Sequence, residues 1–342
     1  MLKKDLAESQ QLENLKGKRL GPYMSHNPVS ATQIWQWCCA MGDKNPSYRL
    51  GQEQIAPAAM MQMWTMRDIN DRYAAGSTDA PPYQIFDSLR DMGYSSNVAV
   101  SYDITFHCHL HIGDSAKHFT SVVAISDKKL TAIGQGFFVT ERVEYFTLEE
   151  KLFAEARITY FQYQAAEIME AETTMETERH SKQPEADPLP QQEIAGQADG
   201  KDLDVAALSV GDQLPEVAIP ITHKLIVGGA IATQDFVSVH HSALAAQAAG
   251  MPDIFMNILT TSGLSARYLT DWAGPKSRLK KLKFDLRAPN HPGDVMIMEG
   301  EIGDIASQDA DDLISVTFSG KNSIGVHVSG SATLALSGQK TS

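Results

Sequence analysis

Two stretches of the chain alternate apolar and polar residues with a period of two and are punctuated by glycine. In the first stretch the segments are FTSVVAI (119–125), TAIGQGFFVTERVEYFT (131–147) and ARITYFQY (156–163). In the second they are VMIMEGEI (295–302) and LISVTFSGKNSIGVHVSGSATLAL (313–336). This alternation predicts antiparallel strands with one face on a core. Ahead of each set lies an apolar run with helical spacing, APAAMMQMWTMRDINDRY (56–73) and DIFMNILTTSGLSARYLTDW (253–272), each following a shorter helical segment. Each half therefore predicts about five strands curled around one long buried helix, an α+β arrangement that covers both kinds of apolar face.

The halves read as copies of one another. MGDKNPSY places Asp43 five residues before Tyr48, and ATQDFVSVH places Asp235 five residues before His240. A Gly-Asp turn follows each long apolar run, at Gly113-Asp114 and Gly293-Asp294. The aspartates are 192 positions apart and the turns 180, so the first half carries 12 extra residues, which fit the region 76–89. Between the halves, residues 166–204 are rich in Glu, Gln, Thr and Pro and lack apolar periodicity. Such a segment cannot bury enough surface to offset its ordering entropy and is expected to be a flexible linker. The expected units are 1–165, the linker 166–204, and 205–342.

Composition narrows the function classes. The chain has 342 residues, 43% hydrophobic and 21% charged, as expected of a soluble globular protein with two domains. No apolar run approaches the roughly 18–20 residues that span a bilayer, and the polar N-terminus lacks a signal-peptide core. Three cysteines, Cys38, Cys39 and Cys108, make neither a disulfide framework nor a zinc spacing, so the cytoplasm is the expected compartment. A net charge of −13 argues against nucleic-acid binding, which needs a basic surface.

Asp235 and His240 are the leading candidates for chemistry. A carboxylate and an imidazole can share one water and exchange protons with it near neutrality. By spacing alone either could also be a helix cap or a satisfied core group. The surroundings add more. Asp, four residues, His, then a helix and a curled antiparallel sheet resembles the MaoC-type hydratases of the hotdog superfamily, whose motif is D-x-N-P-[IL]-H. The first half keeps Asp43, Asn45 and Pro46 of that motif but has Tyr48 at the histidine position. The second keeps Asp235 and His240 but has Val237 and Ser238 in place of Asn-Pro. The run 232–275 is similar to the catalytic subunit of the MaoC-like hydratases of bacterial steroid side-chain degradation, and the first half to the hotdog domain of its partner subunit.

This resemblance implies a double hotdog, a fusion of two subunits that are separate in actinobacteria. It implies an enoyl-CoA hydratase that adds water to a steroid side-chain enoyl-CoA to give a 3-hydroxyacyl-CoA. CoA would enter as part of the substrate, with no metal or redox cofactor. By register with the family pattern I-x-H-G, the thioester oxygen would be met by the backbone amide of Asn257, a helix-start donor. The first half, with Met60, Met63 and Trp64, would shape the acyl pocket, since thioethers repack around bulky ligands; the plain alternative is that they are core. A homodimer of fused chains is expected. A separate OB-fold protein and a downstream aldolase are further candidate partners, because the family's OB-like domain has no counterpart after Leu336.

Other features are less specific. Lys276, Arg278 and Lys280 in GPKSRLKKLKF are either a solvated strand edge or the cluster that holds CoA phosphates. His107, His109 and His111 alternate and are read as a polar strand face rather than a metal site. Two rival classes stand: a hotdog thioesterase, and a non-catalytic acyl-CoA-binding scaffold, against which the Asp–His pair argues.

Overall fold

The computed structural model describes residues 12–49, 51, 54–165, 202–308 and 311–337. Among the described residues eleven strands join in one sheet: β1 (Leu20–Met24), β2 (Ser96–Phe106), β3 (Ala116–Ile125), β4 (Lys129–Thr131), β5 (Gly134–Thr147), β6 (Leu152–Ala165), β7 (Gln213–Ile221), β8 (Arg278–Leu286), β9 (Asp294–Gln308), β10 (Asp311–Lys321) and β11 (Val326–Ser337). The order is β1-β3-β5-β6-β2-β8-β11-β10-β9-β7, with the short β4 beside β5. The first half of this path mirrors the second about the β2–β8 junction, where Ser101 to Thr105 face Asp285 to Lys281. Two copies of one curled sheet thus join edge to edge, and neither central strand is left as an open edge.

The helices are α1 (Ala31–Met41), α2 (Gln84–Asp91), α3 (His223–Ala232), α4 (Ala243–Ala248) and α5 (Ile258–Ala273). In α5 every residue from Ile258 to Thr270 is buried, so this helix is enclosed on all sides by the sheet and its neighbours. Close approach needs small residues. A Cβ on Gly263 would lie 2.8 Å from the Trp37 ring of α1, and one on Gly229 of α3 would lie 2.4 Å from Thr260 Oγ1. Among the described residues no helix is long and apolar enough to cross a membrane.

The duplication is visible bond by bond. Ser30 caps α1 and Thr222 caps α3, each through its side chain. The Gly113 amide donates to Val29 and the Gly293 amide to Ile221, and both turn glycines are left-handed, at φ 94° and 92°. The Asp43 amide donates to Cys38 and the Asp235 amide to Ala230. Short 3₁₀ turns follow at Pro46–Tyr48 and Ser238–His240. Further on, Ala56 donates to Leu110 as Met256 donates to Asn290. These pairs correct the estimate of 12 extra residues. It is the net of two differences: the second half is longer by the segment carrying α4, and the first is longer beyond Ala56.

One predicted element does not form. Residues 56–73 make two 3₁₀ turns, Ala58–Met60 and Met63–Thr65, instead of a long helix. Beyond them, Asp68 Oδ1 accepts from the Asn70 and Arg72 amides at 2.8 and 2.9 Å, a local alternative to helical bonding, and Asp71 is left-handed at φ 59°. The rest of the first-half sheet is covered by α2, whose Ile85, Phe86 and Leu89 pack on Val122 and Val139 with Leu12.

Most of the expected linker lies outside the described residues. Its last part, 202–204, is docked on the second half: Asp202 Oδ1 accepts from the Lys276 amide at 2.8 Å and Leu203 donates to Ala273.

Candidate active site

Asp235 follows a backbone turn at Gln234 with φ 56°, a left-handed conformation occupied by Gly42 in the first half. Only glycine adopts this freely, so holding a glutamine there carries a local cost that places the Asp235 carboxylate. Asp235 Oδ2 stands 3.7 Å from His240 Nε2, and both side chains are largely buried. The separation is too long for a direct hydrogen bond and lets both atoms bond one water placed beside them. On the other side of the ring, His240 Nδ1 lies 2.8 Å from the Phe255 carbonyl. A carbonyl oxygen only accepts, so the hydrogen resides on Nδ1 and the lone pair of the neutral ring is on Nε2, facing Asp235. Phe255 packs edge-on against the imidazole, its ring centroid 5.1 Å away.

Asn257 completes the geometry in a way its position in the sequence did not suggest. It is the N-cap of α5, with Oδ1 accepting from the Thr260 amide at 2.7 Å. Its Nδ2 donates to Asp235 Oδ2 at 2.9 Å and to Thr233 Oγ1 at 3.0 Å. One side chain thus fixes the helix start and the carboxylate together. Meanwhile the Asn257 backbone amide has no acceptor among the described residues, and it sits at the positive end of the helix dipole. Phe255, Thr233 and the Asn257 side chain were not singled out from sequence. The N-cap preference of Asn ahead of an apolar helix was the one available signal.

The corresponding place in the first half is differently furnished. Asp43 and Tyr48 line a cavity of about 10 Å³ with Trp37, His109, Arg267 and Thr270. Burial pushes Asp43 up to about 6 and Tyr48 well above its ordinary range. Arg267, from α5 of the other half, donates to the Met41 carbonyl at 2.6 Å and to Asp271 at 3.0 Å, so it ties the halves together across this site. Since Ala56 matches Met256, the counterpart of Asn257 is Pro57, the residue ahead of the first 3₁₀ turn. Proline has no N–H. The first-half site therefore lacks the motif histidine and the amide, and the imidazole that lines it, His109, comes from the loop after β2.

The remaining candidates divide. Met60, Met63 and Trp64 are buried in the main core, at most 4% exposed. Lys276, Arg278 and Lys280 are not brought to Asp235 and His240. They follow the C-terminus of α5, whose 16 residues separate them by roughly 24 Å from Asn257 at its start. Lys276 pairs with Asp202 at 3.4 Å and Arg278 with Asp311. The basic cluster is thus largely balanced by carboxylates, which removes the argument from an unpaired basic patch. His107, His109 and His111 lie in the loop after β2, not alternating along a strand. His107 pairs with Glu155 at 3.4 Å, and burial lowers His109 to about 4. Among the described residues no group of three or more His, Cys, Asp or Glu is arranged to hold a metal.

No protein-family model matches the chain. Over 127 residues it is 40% identical to the 3-oxo-4,17-pregnadiene-20-carboxyl-CoA hydratase beta subunit of Mycobacterium tuberculosis, covering 37% of this chain and 95% of that subunit. Over 137 residues it is 37% identical to a probable enoyl-CoA hydratase alpha subunit of Thermomonospora curvata, 36% of this chain and 42% of that subunit. The match thus spans about two-fifths of the alpha subunit's length. Among solved structures, a MaoC-like dehydratase superposes with a TM-score of 0.68 at 19% identity, over 96% of this chain and all of that one. A M. tuberculosis protein described as a double hotdog superposes at 0.56 and 14% identity, over 94% and 98% of the two chains. With the mirrored sheet, the duplicated turns and the Asp–His pair at the head of the buried helix, these similarities place the chain in the family of MaoC-like hydratases, as a double hotdog.

Proposed function

We propose that this protein adds water across the 2,3 double bond of a CoA thioester whose acyl part is a bulky, steroid-type group. The observation that carries this is the 3.7 Å gap between Asp235 Oδ2 and His240 Nε2 beside the uncommitted amide of Asn257. A water bonded to both atoms from beside that gap loses a proton to the pair as its oxygen bonds to Cβ. The electron pair of the double bond moves onto the thioester oxygen, where the Asn257 amide stabilises the charge. The pair then returns a proton to Cα, so that one water is added in all. This chemistry calls on no metal or redox group, and CoA enters as substrate.

The first half supports the bulky acyl group. It has two short turns where the second half has a helix, and these turns bury Met60, Met63 and Trp64, which we assign to the wall that would adapt to the acyl group. Its own site has Tyr48 at the motif histidine's position and no amide at Pro57, and burial lowers its His109 to about 4, so we assign it binding rather than catalysis. The steroid character comes from the relatives' names. One relative is named in alpha and beta subunits, whereas here both halves share one sheet. The test is to incubate the full chain with steroid and straight-chain 2-enoyl-CoAs and follow loss of the enoyl absorbance, with a free-thiol assay alongside. Release of CoA without hydration would identify a thioesterase.

A further inference from the structure

The segment that leads into α5, residues 254–257, is held from behind by the loop between β8 and β9. The Ile254 carbonyl accepts from His291 Nδ1 at 3.1 Å, and the Met256 amide donates to the Asn290 carbonyl. Between these two bonds Phe255 turns its carbonyl the opposite way, to His240 Nδ1 at 2.8 Å. Successive peptide groups of an extended segment point to opposite sides, so the Asn257 N–H, next in the alternation, falls on the His240 side. The loop behind is itself fixed. Asn290 is fully buried, and Asn322 Nδ2 donates to both its Oδ1 and the Pro289 carbonyl at 2.8 Å. The Phe255 ring stands edge-on between two imidazoles, 5.1 Å from that of His240 and 6.3 Å from that of His291.

The duplication supplies an internal comparison. His111 and His291 occupy the same place, each two residues ahead of its Gly-Asp turn, and Ile55 bridges His111 where Phe255 runs beside His291. In the first half the His111 side chain is exposed and faces Asp114, Nδ1 lying 3.9 Å from Oδ2. In the second half the matching carboxylate is taken up elsewhere. Asp294 Oδ2 accepts from the Ser323 hydroxyl at 2.6 Å and from the Ser323 amide at 3.1 Å. The His291 ring is half-buried and turned inward, and because a carbonyl only accepts, its Nδ1 carries the hydrogen. One residue of the repeat thus points outward beside Tyr48's half and inward in the half that holds the Asp–His pair.

We propose that His291 is a positioning residue of the Asp235–His240 site, acting through the segment it holds. Its N–H on Ile254 sets the alternation of the next three peptide groups. That alternation gives His240 the Phe255 carbonyl, which keeps the hydrogen on Nδ1 and the lone pair toward Asp235, and it aims the Asn257 amide at the same side. The kinetic consequences rest on the hydratase reading; the effect on His240 does not. A displacement of a catalytic group by about 1 Å costs on the order of 10²-fold in rate, so a single bond behind the segment is enough to matter.

The experiment moves the donor while keeping a polar side chain. His291→Asn places an N–H close to where Nδ1 stood, His291→Gln carries it out to the place of Nε2, and His291→Leu removes it. Thermal melts of the full chain show which variants are folded; the Asn and Gln variants decide the matter if Leu is not. With a bulky 2-enoyl-CoA, His291→Gln and His291→Leu should lose about 10–100-fold in kcat with KM within about threefold of wild type, since ground-state binding is untouched. His291→Asn should stay within about threefold of wild type in both, and His111→Leu, the first-half control, should change neither. Proton–nitrogen correlation spectra of histidine-labelled protein without substrate read the His240 tautomer, its signal identified by its absence in His240→Ala. Wild type and His291→Asn should show hydrogen on Nδ1 alone, and His291→Gln a mixture of tautomers. Equal kcat in folded His291→Asn and His291→Gln, or a His240 signal in His291→Gln identical to wild type, overturns the proposal. A wild type that hydrates no enoyl-CoA while the His240 signal changes in His291→Gln refutes the hydratase reading and upholds the positioning role.

Discussion

Replacing Asn257 by proline isolates the backbone amide from everything else the residue does. The natural contrast is Pro57, which stands at the same place in the first half and has no N–H. Asn257 has φ −79°, within the range a proline ring accepts. Its side chain must be lost in the comparison as well, so the reference is Asn257→Ala and not the wild type. Alanine removes the cap on Thr260, about 1 kcal/mol, and the bond to the Asp235 carboxylate, about 1.5–3 kcal/mol. Both variants should therefore unfold at lower denaturant than wild type, by a similar margin. Their activities should part. Loss of one oxyanion donor costs about 10²–10³-fold, so Asn257→Pro should fall that far below Asn257→Ala in kcat. Initial rates of hydration at saturating and limiting enoyl-CoA, taken on protein shown folded by circular dichroism, give the result. Equal kcat in folded Asn257→Pro and Asn257→Ala would refute the assignment of the amide.

Asp235→Asn and His240→Ala should each lower turnover by about two orders of magnitude or more, and the double variant should lose little beyond either, since the two act on one water; steady-state rates decide. Glu141, buried on β5, makes stability pH-dependent. Its folded value is about 8 against an ordinary 4.5, so the destabilisation is absent below pH 4.5, grows as pH rises, and levels off above 8. The gain in stability of Glu141→Gln over wild type should accordingly increase between pH 5 and 8, reaching on the order of 3 kcal/mol at pH 7 in urea titrations. Arg267→Met leaves Asp271 and the buried Asp43 without their cation and should cost about 3–5 kcal/mol by the same measurement. Neutralising Lys276, Arg278 and Lys280 together should change the apparent KM by less than about threefold, because Asp202 and Asp311 already balance two of them.

What the sequence determined by itself is what repeats locally. Period-two alternation fixes which strand face is buried, and the two Asp–x4 motifs with their Gly-Asp turns mark a duplicated unit wherever they sit in space. The Asp235–His240 pair was legible because both residues lie on one short turn, so their separation is set by a few backbone angles. The tertiary structure decided the rest. Residues 56–73 have helical spacing, yet Asp68 captures the amides of Asn70 and Arg72 and α2 takes over the sheet face instead. Pro57 could not be matched to Asn257 from sequence, because two insertions of opposite sense hide the register, and only equivalent hydrogen bonds recover it. The Asn257 side chain meets Asp235 from 22 residues away, and Arg267 reaches Met41 from 226. No local pattern encodes such contacts. They arise because the two halves close on a shared helix, and burial there converts ordinary polar side chains into a positioned carboxylate and a tie between the halves.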